Sequence, residues 1–173
     1  MSDFLEILKY VIPSLVVFLT AYAILKKFLD KEEKKLRYEY NLKSEQFTIP
    51  IRLQAYERII LLLERISPES LLLRVNKKGM NSRQLQNELL SEIRTEFDHN
   101  LSQQIYISPQ AWNVVQNAKS NLIKIINVSA SSVNPDSPSM NLSKAILDNI
   151  MEAEESPVET AKDHLKKEIR ELF

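Results

Sequence analysis

The sequence predicts a mainly α-helical protein: an N-terminal transmembrane helix, a charged helical stalk, and a small helical bundle with at most a minor two-stranded element. Three observations carry this. The run Tyr10 to Leu25 (YVIPSLVVFLTAYAIL) contains no charged residue. Beyond residue 48, apolar residues recur at the three- and four-residue steps of helices. The 173 residues include a single glycine, Gly79, whereas tight β-hairpins lean on glycine.

With Phe4, Leu5, Ile7 and Leu8 before it and Phe28-Leu29 after it, the apolar run reaches the ~20 residues that a bilayer-spanning helix needs. No face of the run is polar, which argues against a helix lying flat on a membrane surface. Ala21-Tyr22-Ala23 has the small-x-small form of a signal-peptide cleavage site. Signal peptides, however, carry their positive charge before the apolar run. Here Asp3, Glu6 and Lys9 precede it, and Lys26, Lys27, Lys31, Lys34, Lys35 and Arg37 follow. The reading is an uncleaved anchor over residues 1–29 in the cell (inner) membrane. By the positive-inside rule the N-terminus is outside and the body cytoplasmic. The span has no pair of small residues four apart and no ionisable residue at mid-depth, so it reads as an anchor and not as a conduit.

Residues 30–47 form the stalk. Glu33 and Arg37 make a favourable pair one turn apart. Leu29, Leu36, Tyr40 and Phe47 form a thin apolar stripe that leaves room for a homo-oligomer. Fewer than three heptads favours the plainer reading of a solvated continuation of the membrane helix.

Residues 48–173 are expected to form one cytoplasmic domain of five or six helices. Thr48 and Pro50 open a helix to Ile66, with Ile59 to Leu63 consecutive aliphatics and Gln54, Glu57, Arg58, Glu64 and Arg65 opposite. Ser67-Pro68, Ser108-Pro109 and Ser156-Pro157 each place a capping residue before a proline at a helix start, the last with Glu159 at capping-box spacing. Asn81 and Gln84 open a helix to about Asp98, with Leu85, Leu89, Ile93 and Phe97 on one stripe. Trp112, Val115, Ala118, Leu122 and Ile126 form the next. Residues 129–139, with Pro135 and Pro138, form a loop. Leu142, Ile146 and Ile150 mark one further helix, and Val158, Ala161, Leu165, Ile169 and Leu172 the last. Residues 71–75 and 103–107 are the candidate strand pair.

Composition excludes more than it assigns. Basic and acidic residues balance at 23 each, which offers no electrostatic footprint for nucleic acid. With no cysteine and one glycine, thiolate chemistry, disulfides and glycine-rich phosphate loops are out. His99 and His164 are the only histidines. Glu96 and His99 have the Glu-x-x-His spacing of a dimetal bundle site, but the second such pair is missing, since Ala161 stands three residues before His164. Glu88, Glu92 and Glu96 share a stripe whose like charges want compensation, from a metal, a basic partner, or lysines such as Lys119 and Lys166. No catalytic residue, cofactor or metal ligand is assigned.

The stretches IPIRLQAYERIILLLERISP, HNLSQQIYIS and LKKEIRELF, behind an N-terminal span, resemble an uncharacterised family of small bacterial single-span membrane-anchored proteins. The resemblance covers nearly the whole chain, implies the one-span architecture and brings no activity with it. The expected function is therefore a membrane-tethered module for protein–protein interaction or scaffolding, with the bilayer and an unidentified protein as partners. Its rival is a small membrane-associated enzyme, metal-dependent through Glu92, Glu96 and His99. The expected interaction surface comprises His99, Gln103 and Gln104, in a segment rich in neutral hydrogen-bonding groups, with Glu57 and Arg58 on the polar face of their helix. Asn100 and Ser102 are expected to cap backbone groups locally.

Overall fold

The computed structural model describes residues 2–152 and 156–172, with side chains from Ser14 onward except those of residues 41, 44 and 172. Six α-helices are present among the described residues: α1 (Ser2–Ile66), α2 (Pro68–Val75), α3 (Ser82–His99), α4 (Pro109–Ser131), α5 (Ser139–Glu152) and α6 (Pro157–Leu172). A 3-10 turn, Leu101–Ile105, links α3 to α4. The chain divides into two compact units, Met1–Ile49 and Pro50–Phe173.

In the first unit, every described side chain from Ser14 onward is exposed, including Val17 at 66%, Phe18 at 65% and Ile24 at 70%. The Thr20 hydroxyl donates to the carbonyls of Val16 and Val17, so its polarity is absorbed by the helix itself. The expected pair forms between Arg37 and Glu33 at 2.8 Å. Among the described residues no helix is long and apolar enough to cross a membrane. The anchor expected over residues 1–29 lies in part outside the described side chains, which begin at Ser14.

The second unit is built on the last part of α1. Ala55, Tyr56, Ile59, Leu62, Leu63 and Ile66 are all buried, at the spacings of a single helical stripe. Leu85, Leu89, Ile93 and Phe97 of α3, Val115, Ala118, Leu122 and Ile126 of α4, Leu142 and Ile146 of α5, and Val158, Ala161 and Leu165 of α6 complete one core. Trp112 packs on Phe97 with ring centroids 5.1 Å apart, and the Lys119 ammonium sits 3.9 Å over the other ring.

Helix starts follow local chemistry. The Asn81 side chain accepts from the Gln84 N–H at 2.8 Å while the Gln84 side chain accepts from the Asn81 N–H at 3.1 Å, a complete capping box. Ser108 Oγ accepts from the Ala111 N–H at 3.0 Å. The loop before α5 finishes the job at α3, where the N–H groups of Ser82 and Arg83 donate to the carbonyls of Ser137 and Pro135. Gly79 adopts φ +89°, a left-handed turn between α2 and α3 that other residues resist.

Several expectations are corrected. No helix begins at Thr48–Pro50, because α1 runs through both. Proline there removes one backbone hydrogen bond, and the helical stripe continues regardless. Residues 71–75 are helix and not strand: Leu71, Leu72 and Val75 are buried while Leu73 is 87% exposed, which is helical spacing and not alternation. The segment 103–107 is not a strand either, since Gln103 and Tyr106 donate to the carbonyls of Asn100 and Gln103 in 3-10 fashion. Among the described residues there is only an isolated bridge, Asn81 to Pro138, and no strand. The loop expected at 129–139 is shorter, because α4 continues to Ser131. Buried Ser129 there donates to the Ala145 carbonyl at 3.3 Å.

Candidate functional site

His99 ends α3, exposed, and Gln104 is exposed on the 3-10 turn beside half-buried Gln103. The turn is tied to α1 where Arg52 Nε donates to the Tyr106 carbonyl at 3.2 Å. Asn100 does serve as a local cap, its amide donating to the Glu96 carbonyl at 2.9 Å. Gln103 turns to Ser102, with its amide donating to Oγ at 3.4 Å. Glu57 and Arg58 are exposed on α1, and among the described residues no hydrogen bond or ion pair joins them to the 99–104 segment. The five residues of the expected surface are thus accessible but are not gathered into one set of bonded groups.

Glu96 is only 8% exposed and is held by two arginines. Arg65 of α1 donates through Nε to Oε1 at 2.7 Å, and Arg74 of α2 donates through Nη1 to the same oxygen at 3.0 Å. Arg74 also lies 3.3 Å from Glu92 and donates to the Arg65 carbonyl. Burial alone would raise the Glu96 carboxyl, but the hydrogen bonds and charges of Arg65 and Arg74 outweigh it and hold the group below its ordinary value. Glu92 and Glu96 of the acidic stripe are therefore compensated by arginines, not by Lys119, which covers Phe97, nor by Lys166, which faces Asp163 at 3.5 Å. Glu92 and Glu96 thus face Arg74, and His99 stands exposed at the end of α3. Among the described residues no three acidic or histidine side chains are placed to share an ion.

Lys162, 5% exposed on α6, mirrors this arrangement with the sign reversed. It donates to Glu64 of α1 at 2.8 Å and pairs with Glu159, the residue expected in a capping box. Burial would lower the ammonium, and the two carboxylates more than offset it, leaving it above its ordinary value. Tyr56, fully buried, donates to Glu168 Oε1 at 2.7 Å. Its hydroxyl is raised by burial first and then by that carboxylate. Glu168 Oε2 is buried without a hydrogen-bond partner, with His164 Nε2 at 3.9 Å. The Glu96 pairing ties α3 to α1, and the Lys162 and Tyr56 pairings both tie α6 to α1.

A larger opening lies along the outer side of α4, a groove of about 650 Å³ walled by α5 and α6. Its apolar surface comes from Val114, Ala118, Ile125 and Val128 of α4 and Pro157 of α6. Its polar surface comes from Asn117, Asn121 and Lys124, with Asn149 of α5 and Thr160 of α6. Asn149 is anchored, its amide donating to Ser129 Oγ at 2.8 Å and the Ala145 carbonyl at 3.0 Å. Asn117 and Asn121 are exposed and bonded to no described residue, and Lys124 has no ion pair among them. Sequence reasoning missed this feature because it followed only the inward stripe of α4. The signal available was a second stripe, Val114, Ala118, Asn121, Ile125 and Val128, at steps of four, three, four and three.

No curated protein and no solved structure matches the chain. A sequence-family model matches residues 2–172. It agrees with the resemblance drawn from the three quoted stretches in carrying no assigned activity. The chain belongs to the family of unknown function DUF7935.

Proposed function

We propose that the chain is a membrane-tethered interaction module: the apolar part of α1 anchors it, and the bundle from Pro50 onward binds a protein partner on the cytoplasmic side. One observation carries the tether. From Leu15 to Leu25 the large apolar side chains are exposed all around the helix, at 53% or more for Val16, Val17, Phe18, Leu19, Tyr22, Ile24 and Leu25. Exposed apolar surface of that extent calls for cover, and hydrocarbon supplies it. The run Tyr10 to Leu25 has the composition for it, and the basic residues from Lys26 to Arg37 orient it with the bundle inside. The interaction role is supported by a bundle whose buried charges all serve packing, while its open surface offers uncommitted amides.

Carbonate extraction of membranes from cells expressing the full chain tests the tether. Wild type should stay in the pellet. A Val17→Lys/Leu19→Lys variant should move to the supernatant, since each central lysine costs roughly 2.5–3.5 kcal/mol of insertion. Wild type released by carbonate would remove the span. Protease on sealed cells should spare the bundle until lysis, and digestion beforehand would reverse the orientation. Crosslinking in native membranes then compares wild type with His99→Ala/Gln103→Ala/Gln104→Ala. A partner lost in that variant places the contact at the end of α3.

A further inference from the structure

We propose that the groove along α4 holds an extended, acidic peptide segment of a partner protein, gripped through its backbone by Asn117 and Asn121 and through one carboxylate by Lys124. This deepens the interaction reading above and rests on it. A carboxamide presents one acceptor and two donors, which matches the C=O and N–H of a peptide unit. Asn117 and Asn121 stand four residues apart on α4, which is ~6 Å along a helix. Two residues of an extended chain span ~6.6 Å, so successive peptide units facing the same way meet successive asparagines. Neither amide has a partner among the described residues. The remaining surface suits the side chains of such a segment, with Ala118 and Ile125 under it and Val114 and Val128 at its ends. From Val114 to Val128 the groove covers ~21 Å of helix, the length of about six extended residues.

The same facts choose among occupants. A docked α-helix has its backbone bonded internally, so it would leave both amides unmet and would lay an apolar seam across Asn121 and Lys124. A second copy of this chain offers no strand to lie along it among the described residues. The charge is equally selective. Among the described residues, Lys124 is the sole ionisable side chain lining the groove, and it has no ion pair with any of them. An acidic side chain opposite it is therefore favoured.

The test uses the full chain in nanodiscs and a set of acetylated, amidated fluorescent octapeptides of alternating valine and alanine. One aspartate is walked through the eight positions, and a parallel set carries lysine instead. Saturable anisotropy changes are expected for aspartate peptides of one register. Asn117→Ala/Asn121→Ala should weaken them about tenfold or more. Lys124→Glu should transfer the preference to the lysine set, and N-methylation of alternate peptide nitrogens should abolish binding. These three side chains bond to nothing described, so circular dichroism should show each variant folded. The proposal is overturned if no aspartate peptide binds, or if binding ignores the asparagine pair or the N-methyl groups. It is also overturned if the groove instead mediates a dimer that Val128→Glu dissociates. Carbonate extraction and the crosslinking comparison at His99 are independent of all these results, so the tether and the broader interaction role stand or fall separately.

Discussion

Two charged side chains, Glu96 and Lys162, are buried in the bundle at 8% and 5% exposure. A buried charge is tolerated only when paired, and the two cases differ in what they leave behind when removed. Replacing Glu96 by glutamine strips Arg65 and Arg74 of their shared anion but leaves Arg74 its contact with Glu92. Both arginines reach water, so the expected loss at neutral pH is modest, about 1–2 kcal/mol in urea unfolding. The acid side is more telling. The folded carboxyl lies below its ordinary value of 4.5, so the unfolded chain binds the proton more readily. Its contribution is present above that value and is lost as pH falls through the lower, folded one. The wild-type and Glu96→Gln stability curves should therefore converge below about pH 4.5. Lys162 runs the other way: its folded value lies above 10.5, so its contribution is present below that and is lost as pH rises further. Its partners Glu64 and Glu159 are more than half exposed and stay hydrated without it. Lys162→Met should cost under about 1 kcal/mol at pH 7, and it should flatten the alkaline limb. A variant unfolded at pH 7 would show that the ammonium is indispensable.

At the scale of elements, caps and prolines decide where helices start, and here the sequence was most legible. Asn81 with Gln84, and Ser108 before Pro109, stand where local chemistry placed them, because each cap involves groups only three residues apart. Asn81→Ala should lose about 1 kcal/mol in denaturant titration, with Ser108→Ala close to it. An unchanged midpoint for both would mean that the loop carbonyls of Pro135 and Ser137 satisfy the first turn of α3 unaided. Pro50 shows the limit of such signals. It looks like a start, yet α1 passes through it, because the stripe from Ala55 to Ile66 is fixed by packing, to which proline is a local cost. Pro50→Ala restores one donor, and hydrogen exchange near residues 46–54 should slow. The pairing of Arg65 with Glu96 was illegible for the opposite reason: 31 residues separate them, and nothing local marks either as the other's partner. Arg65 accordingly looked like free surface. The α4 groove was hidden in the same way, since its walls belong to helices distant in sequence.

For the whole molecule, the division at Ile49 and Pro50 has a direct test. Every buried core residue among those described lies in the second unit, so residues 50–173 alone should unfold cooperatively with a helical spectrum. A broad, non-cooperative transition would show that the first unit is needed for that core. The chain also carries its own instrument for following this. Trp112 is the single tryptophan, 8% exposed and tilted against Phe97, on the helix that bears the groove. Light absorbed at the red edge of the protein spectrum is therefore emitted from one place. Emission from a buried indole is blue and shifts red when water reaches it, so unfolding of the bundle can be watched without a label and without signal from the first unit, which holds no tryptophan. Asn117 lies five residues further along α4, close enough that filling the groove should alter the indole's quantum yield. A protein with no assigned chemistry to assay thus offers an optical signal in its place.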